Sequence, residues 1–91
     1  MIPKHELDRA VEIAKEFNIG KLYLVGSILY NEPDEVNDYD FAIDEYDPEI
    51  FFRFYSRLFQ AMSKSVDLID LSGKQTLFKK IVRSEGKLIY G

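Results

Sequence analysis

Ninety-one residues suffice for one domain with one modest core, and leave no room for a second lobe. Sixteen acidic residues against twelve basic give a net charge of −4, which argues against a broad, non-specific nucleic-acid footprint. Cysteine is absent and His5 is the single histidine, so disulfides, thiolate metal sites and His-rich zinc centres are excluded. No apolar run approaches the ~20 residues of a membrane span and no leader is visible, so the expected location is the cytoplasm.

Residues 3–18 read as an amphipathic helix. Pro3 suits the first turn, Leu7, Ala10, Val11, Ala14 and Phe17 fall on one stripe, and Asn18 with Gly20 supplies the stop. His5, at the helix start, is expected on the surface. Residues 21–25 form a short strand, apolar after Lys21, of the kind that lies inside a sheet. One or two helical turns follow over 27–32, ended by Pro33, and 34–37 is a polar loop. Residues 38–44 alternate: Asp38, Asp40, Ala42 and Asp44 share one face, while Tyr39, Phe41 and Ile43 share the other, which is the core face. Asp47-Pro48 opens a helix running to about Ser63. Val66 to Leu71 is a further strand. Ser72 and Gln75 have capping-box spacing, which predicts a helix from there to about Gly86, and Leu88-Ile89-Tyr90 is a terminal edge strand. Helices alternating with short strands predict an α/β (α+β) fold over residues 1–91, with helices packed on one small mixed sheet.

The chemistry concentrates between residues 22 and 40. The apolar run Leu22-Tyr23-Leu24-Val25 feeds into Gly26-Ser27, where a strand-to-helix turn can offer backbone N–H groups and a hydroxyl to a phosphate. Asp38 and Asp40, at i and i+2 of the next strand, point the same way. Asp is depleted in strands, and two carboxylates on one face repel unless a cation sits between them. Hard oxygen donors there suit Mg²⁺, which also binds phosphate oxygens. The bland alternatives are a capped turn and two solvated acids. The combination, at this distance and in this order, favours a nucleotide phosphate site.

The string LVGSILYNEPDEVNDYDFAID resembles the core of the DNA polymerase β-like nucleotidyltransferases, and within them the minimal nucleotidyltransferase family. The resemblance extends to Val66-Asp67-Leu68 and to the ending Lys80-Ile81-Val82-Arg83 … Gly86-Lys87-Leu88-Ile89-Tyr90. It implies a nucleotidyltransferase fold, ATP as substrate, two Mg²⁺ ions (or Mn²⁺), and Asp67 as the third carboxylate beside Asp38 and Asp40. It also implies an antitoxin paired with a helical HEPN-type toxin, whose hydroxyl would receive AMP. The chain departs from the family pattern after Gly-Ser. Tyr30 and Asn31 stand about where members carry a basic residue and then a glycine, and Asn37 precedes Asp38 where many carry Ser.

Asp67 and Asp70, three apart in one strand, point to opposite faces, so only one can join Asp38 and Asp40. The resemblance selects Asp67 and leaves Asp70 to cap or solvate the strand end. Asp44 reads as a surface charge near Glu45 and Asp47. Helix 48–63 carries Ile50, Phe51, Phe52, Phe54, Tyr55 and Leu58, with Phe59 and Met62 beyond, an apolar arc of roughly 200°. This is a deeply packed helix, or one with an edge left for a partner or a second copy of the chain. Lys79, Lys80, Arg83 and Lys87 form a basic cluster, read as a solvated face or a contact for phosphates or an acidic partner. Two other functions stay open: a non-catalytic partner-binding module on the same fold, and a transferase acting on a small molecule of aminoglycoside type.

Overall fold

The computed structural model describes all residues, 1–91. Helix α1 spans Lys4–Glu16, strand β1 Lys21–Val25, β2 Asp38–Asp44, helix α2 Phe51–Ala61, β3 Ser65–Asp70, helix α3 Leu77–Glu85 and β4 Lys87–Tyr90. Single 3₁₀ turns occupy Gly26–Leu29, Pro33–Glu35 and Pro48–Ile50. The strands form one sheet in the order β3-β2-β1-β4. β1 runs antiparallel to β2 and to β4, whereas β2 and β3 are parallel, so the sheet is mixed as expected.

The period-two pattern of β2 decides what each face of the sheet meets. Tyr39, Phe41 and Ile43 are wholly buried, beside Leu22 and Leu24 of β1. On that face they join Ala10, Ile13 and Ala14 of α1 and Phe54 and Leu58 of α2 in one cluster. The opposite face carries a smaller cluster, Tyr23, Val25, Ala42 and Leu71, with Ile69 and Val82 of α3 packed against it. The carboxylate face of β2 is therefore partly roofed by α3.

Glu6 of α1 is the one charged residue that is buried, at 4% exposure. Its Oε2 accepts from the Tyr39 hydroxyl at 2.7 Å and its Oε1 from the Ser63 backbone N–H at 2.6 Å. One side chain thus joins α1, β2 and the corner between α2 and β3. The Asp47 carboxylate caps the turn at Pro48 by accepting from the Glu49 N–H, as the sequence predicts.

The start of α3 differs from expectation. Ser72 does not open a helix; its N–H and hydroxyl both donate to Asp70 Oδ1, at 2.8 and 2.6 Å. The carboxylate at the strand end outcompetes the capping box. Thr76 caps α3 instead, its hydroxyl accepting from the Lys79 N–H.

Candidate active site

Three elements meet at one edge of the carboxylate face. β1 ends at Val25, which lies opposite Asp40 in the antiparallel register. In the parallel register, Asp67 of β3 lies opposite Asp40 on its other side, and Asp38 opposite Ser65. The sheet thus sets the turn after β1, Asp40 and Asp67 side by side. Gly26 has φ +77°, the left-handed region that side chains disfavour, and a Cβ there would overlap the Asp40 carboxylate. Glycine is needed both for the turn and for the close approach of Asp40 to its backbone.

Gly26 and Ser27 are exposed, and Ile28 below them is buried and anchors the turn in the core. The one or two helical turns expected over 27–32 are a single 3₁₀ turn at Gly26–Leu29. Tyr30 N–H donates to Ser27 O at 3.0 Å and Asn31 Nδ2 to the same oxygen at 2.9 Å, which fixes the segment beyond.

Asp38 and Asp67 are exposed and Asp40 half-buried. Burial raises the pKa of Asp40 above the ordinary carboxylate value, and the charges of Asp67 and Asp38 push it the same way. Asp40 therefore senses both neighbouring carboxylates electrostatically. Their donors are carboxylate oxygens, the chemistry a hard divalent cation takes. As placed, no three acidic side chains close around a single point, so the arrangement is an open set of donors rather than a finished cage.

Asp70 lies on the other side of the strand from Asp67 and is engaged with Ser72. Burial would raise its pKa, but hydrogen bonds from Ser72 and Tyr46 outweigh that and lower it. Tyr46, half-buried beside Asp70, has its hydroxyl pushed up to about 12, by burial first and by the Asp70 carboxylate second. Asp70 is a structural cap, as one of its two readings held.

The basic cluster separates on inspection. Arg83 donates to Asp44 Oδ2 from Nη2 at 2.9 Å and from Nε at 3.3 Å, to Leu71 O at 2.7 Å, and to the Gln75 side chain. Lys79 Nζ donates to the carbonyls of Ser72 and Lys74. These two cations tie α3 down and are not offered to a ligand, while Lys80 and Lys87 are exposed. Asp44 is correspondingly no stray surface charge but the sheet's anchor for α3.

α3 also supplies what the sequence reading missed. A cleft of about 420 Å³ opens beside Asp40, Gly26 and Ser27. Its far wall is Phe78, Ile81, Val82 and Glu85, one helical stripe at i, i+3, i+4 and i+7, and Tyr30 and Leu29 flank it. The spacing is visible in the sequence, but which way it faces is not.

The family described as polymerase beta nucleotidyltransferase matches residues 9–91. This chain belongs to the polymerase β nucleotidyltransferases. No curated protein matches its sequence. Solved structures share the fold of this nucleotidyltransferase domain. A chain in the crystal structure of the MntA–HepT toxin–antitoxin superposes with a TM-score of 0.71 at 21% identity, over 98% of this chain and 73% of that one. The crystal structure of a toxin–antitoxin with AMP-PNP gives 0.71 at 23% identity, over 93% and 73%. The rebuilt structure of the tri-AMPylated Shewanella oneidensis HEPN toxin with its MNT antitoxin gives 0.71 at 24% identity, over 97% and 71%. At such identities the likeness establishes the nucleotidyltransferase fold alone.

Proposed function

We propose that this nucleotidyltransferase domain transfers AMP from ATP to a hydroxyl of a partner protein, a tyrosine of a HEPN-type toxin, and so acts as the antitoxin of a pair. The observation that carries the reading is Asp40 seated against the Gly26 backbone with Asp67 in register beside it, which supports a phosphate turn and acidic donors along one edge of the sheet. The tri-AMPylated toxin bound to a structural relative supports the acceptor class, and the AMP-PNP complex of another supports the nucleotide.

In this mechanism Gly26 and Ser27 bind the β- and γ-phosphates. Asp38, Asp40 and Asp67 would hold Mg²⁺, or Mn²⁺ in its place. Bound there, the ions would supply charge neutralisation at the phosphates and a lowered pKa for the acceptor hydroxyl. The acceptor oxygen bonds the α-phosphorus as the bond to the bridging oxygen breaks and pyrophosphate leaves. The Asp67 side of the site takes the hydroxyl proton. No protein nucleophile is required, and catalysis is positioning plus neutralisation. The acceptor comes from outside the domain. Phe52, 80% exposed on α2, and half-exposed Phe59 offer it an apolar docking edge.

The test is incubation of the protein and its genomic neighbour with labelled ATP and Mg²⁺, read by mass spectrometry. The expected result is one or more AMP units on the neighbour, absent with Asp38→Asn. Tight binding to the neighbour without an adduct under any nucleotide or metal would leave only a binding module.

A further inference from the structure

We propose that Tyr30 and the Phe78 stripe of α3 form the base subsite of the cleft, gripping a purine ring by stacking rather than by reading its hydrogen-bonding edge. The inference rests on the nucleotide-transfer reading and names the residues that would hold the other end of that ligand.

Tyr30 is 80% and Phe78 60% exposed. Both line the same cleft as Gly26, Ser27 and Asp40. Ile81, 44% exposed, and Val82 continue the wall one turn on. Large apolar side chains left in water beside a polar turn are an unsatisfied surface, and isolated from that turn they would need no ligand. Their continuity with it makes the cleft two-ended: carboxylates and a Gly-Ser turn at one end, aromatic and aliphatic walls at the other. A nucleotide has the same polarity, charged phosphates joined to a flat apolar ring. The volume of about 420 Å³ falls in the range of small-molecule sites.

Both walls are held rigid. The Tyr30 backbone is bonded to Ser27, the residue of the phosphate turn itself. The Asn31 carbonyl is held by the chain's N-terminal amine at 2.7 Å. α3 is latched by Arg83 to Asp44 and Leu71. Exposed aromatic rings lining the cleft suit a planar ring, and every base offers a π-face to them. Among the side chains lining the apolar end, the polar groups are the Tyr30 hydroxyl and the Glu85 carboxylate. Selection by ring size, purine over pyrimidine, is therefore expected to be stronger than selection between adenine and guanine.

The experiment measures equilibrium binding, in the presence of Mg²⁺, of a non-hydrolysable ATP analogue, its CTP counterpart and inorganic tripolyphosphate. Wild type, Tyr30→Ala, Tyr30→Phe and Phe78→Ala are compared. Tyr30 and Phe78 lie outside the core, so the variants keep the fold. Each alanine variant is expected to weaken the ATP analogue by about five- to a hundredfold, the worth of a base–aromatic stack. Tyr30→Phe, which keeps the ring, should bind as wild type. Tripolyphosphate affinity should be unchanged in every variant, and the CTP analogue should bind wild type more weakly than the ATP analogue. Equal affinity of wild type for tripolyphosphate and the ATP analogue would overturn the base subsite while leaving the phosphate turn standing. Loss of tripolyphosphate together with nucleotide in Tyr30→Ala would also overturn it, by moving Tyr30 to the phosphates. Failure of wild type to bind either ligand would overturn the subsite and the nucleotide reading together.

Discussion

Asp40 carries burial and like charge at once. It sits half-buried against the Gly26 backbone, and Asp67 and Asp38 add like charge to the burial, all of which raise its pKa. An ionised Asp40 costs the fold in the absence of metal, and a divalent ion bound as proposed would turn that cost into affinity. Millimolar Mn²⁺ is therefore expected to raise the melting temperature of the wild-type protein by mass action, and to leave Asp38→Asn and Asp40→Asn unmoved. In chelator the sign reverses for one of them: Asp40→Asn should melt no lower than wild type, because it removes a repelled, partly desolvated charge. A wild-type melting curve indifferent to Mn²⁺ would remove the metal role from these carboxylates.

At the scale of the element, strand direction decides which acid can serve. β3 runs parallel to β2 in a register that sets Asp67 beside Asp40 and Asp70 beside Ile43. Because side chains alternate, a slip of one residue would exchange the roles of the two faces. Asp67→Asn is expected to abolish AMP transfer while largely preserving nucleotide binding. Asp70→Asn is expected to retain transfer and to lose stability of about 1 kcal/mol, the scale of one hydrogen bond at a capped strand end. Initial rates and chemical denaturation of the two variants distinguish these outcomes, and activity lost only through Asp70→Asn would mean the site lies on the other face. α3 shows the same dependence of function on packing. Its Arg83, readable from sequence as a free cation, is consumed by Asp44, and that latch is what presents Phe78 to the cleft.

Over the whole molecule, 91 residues must hold two layers of helix on one sheet, and Glu6 fastens three segments at once. Burial alone would raise its pKa, but the hydrogen bonds from Tyr39 and Ser63 outweigh burial and lower it below the reference 4.5. A depressed carboxylate contributes stability that is present above its unfolded value and is lost as pH falls through its folded value. Glu6→Gln places an amide N–H₂ against one of two donors and leaves that donor unsatisfied. It should cost about 1–3 kcal/mol at neutral pH. The difference from wild type should shrink in denaturation at acid pH, as the pH falls from the unfolded carboxylate value through the depressed folded one. An equal difference at both pH values would show that the charge of Glu6 contributes nothing. Tyr39 lies between Asp38 and Asp40 in β2, so the same contact also steadies the strand that carries them.

Local order was legible in the chain itself. The alternation of residues 38–44 sorted Asp38 and Asp40 from Tyr39, Phe41 and Ile43, because a period of two fixes facing without reference to anything distant. Leu22 to Val25 running into Gly26-Ser27 marked the turn, because only glycine tolerates its backbone. What the sequence could not decide were contacts between residues far apart in it. Glu6 meets Tyr39 and Ser63, Asp44 meets Arg83, and Tyr30 shares a cleft with Phe78, each pair brought together only when the sheet pairs and the helices dock. The false helix start at Ser72 has the same origin: a capping pattern is a local preference of under 2 kcal/mol or so, and the Asp70 carboxylate at the end of a paired strand claimed both Ser72 donors first. Residue type and spacing determined the kind of chemistry; tertiary packing determined which of the eligible side chains are free to take part, because a side chain satisfied across the fold has none of its donors or acceptors left for a ligand.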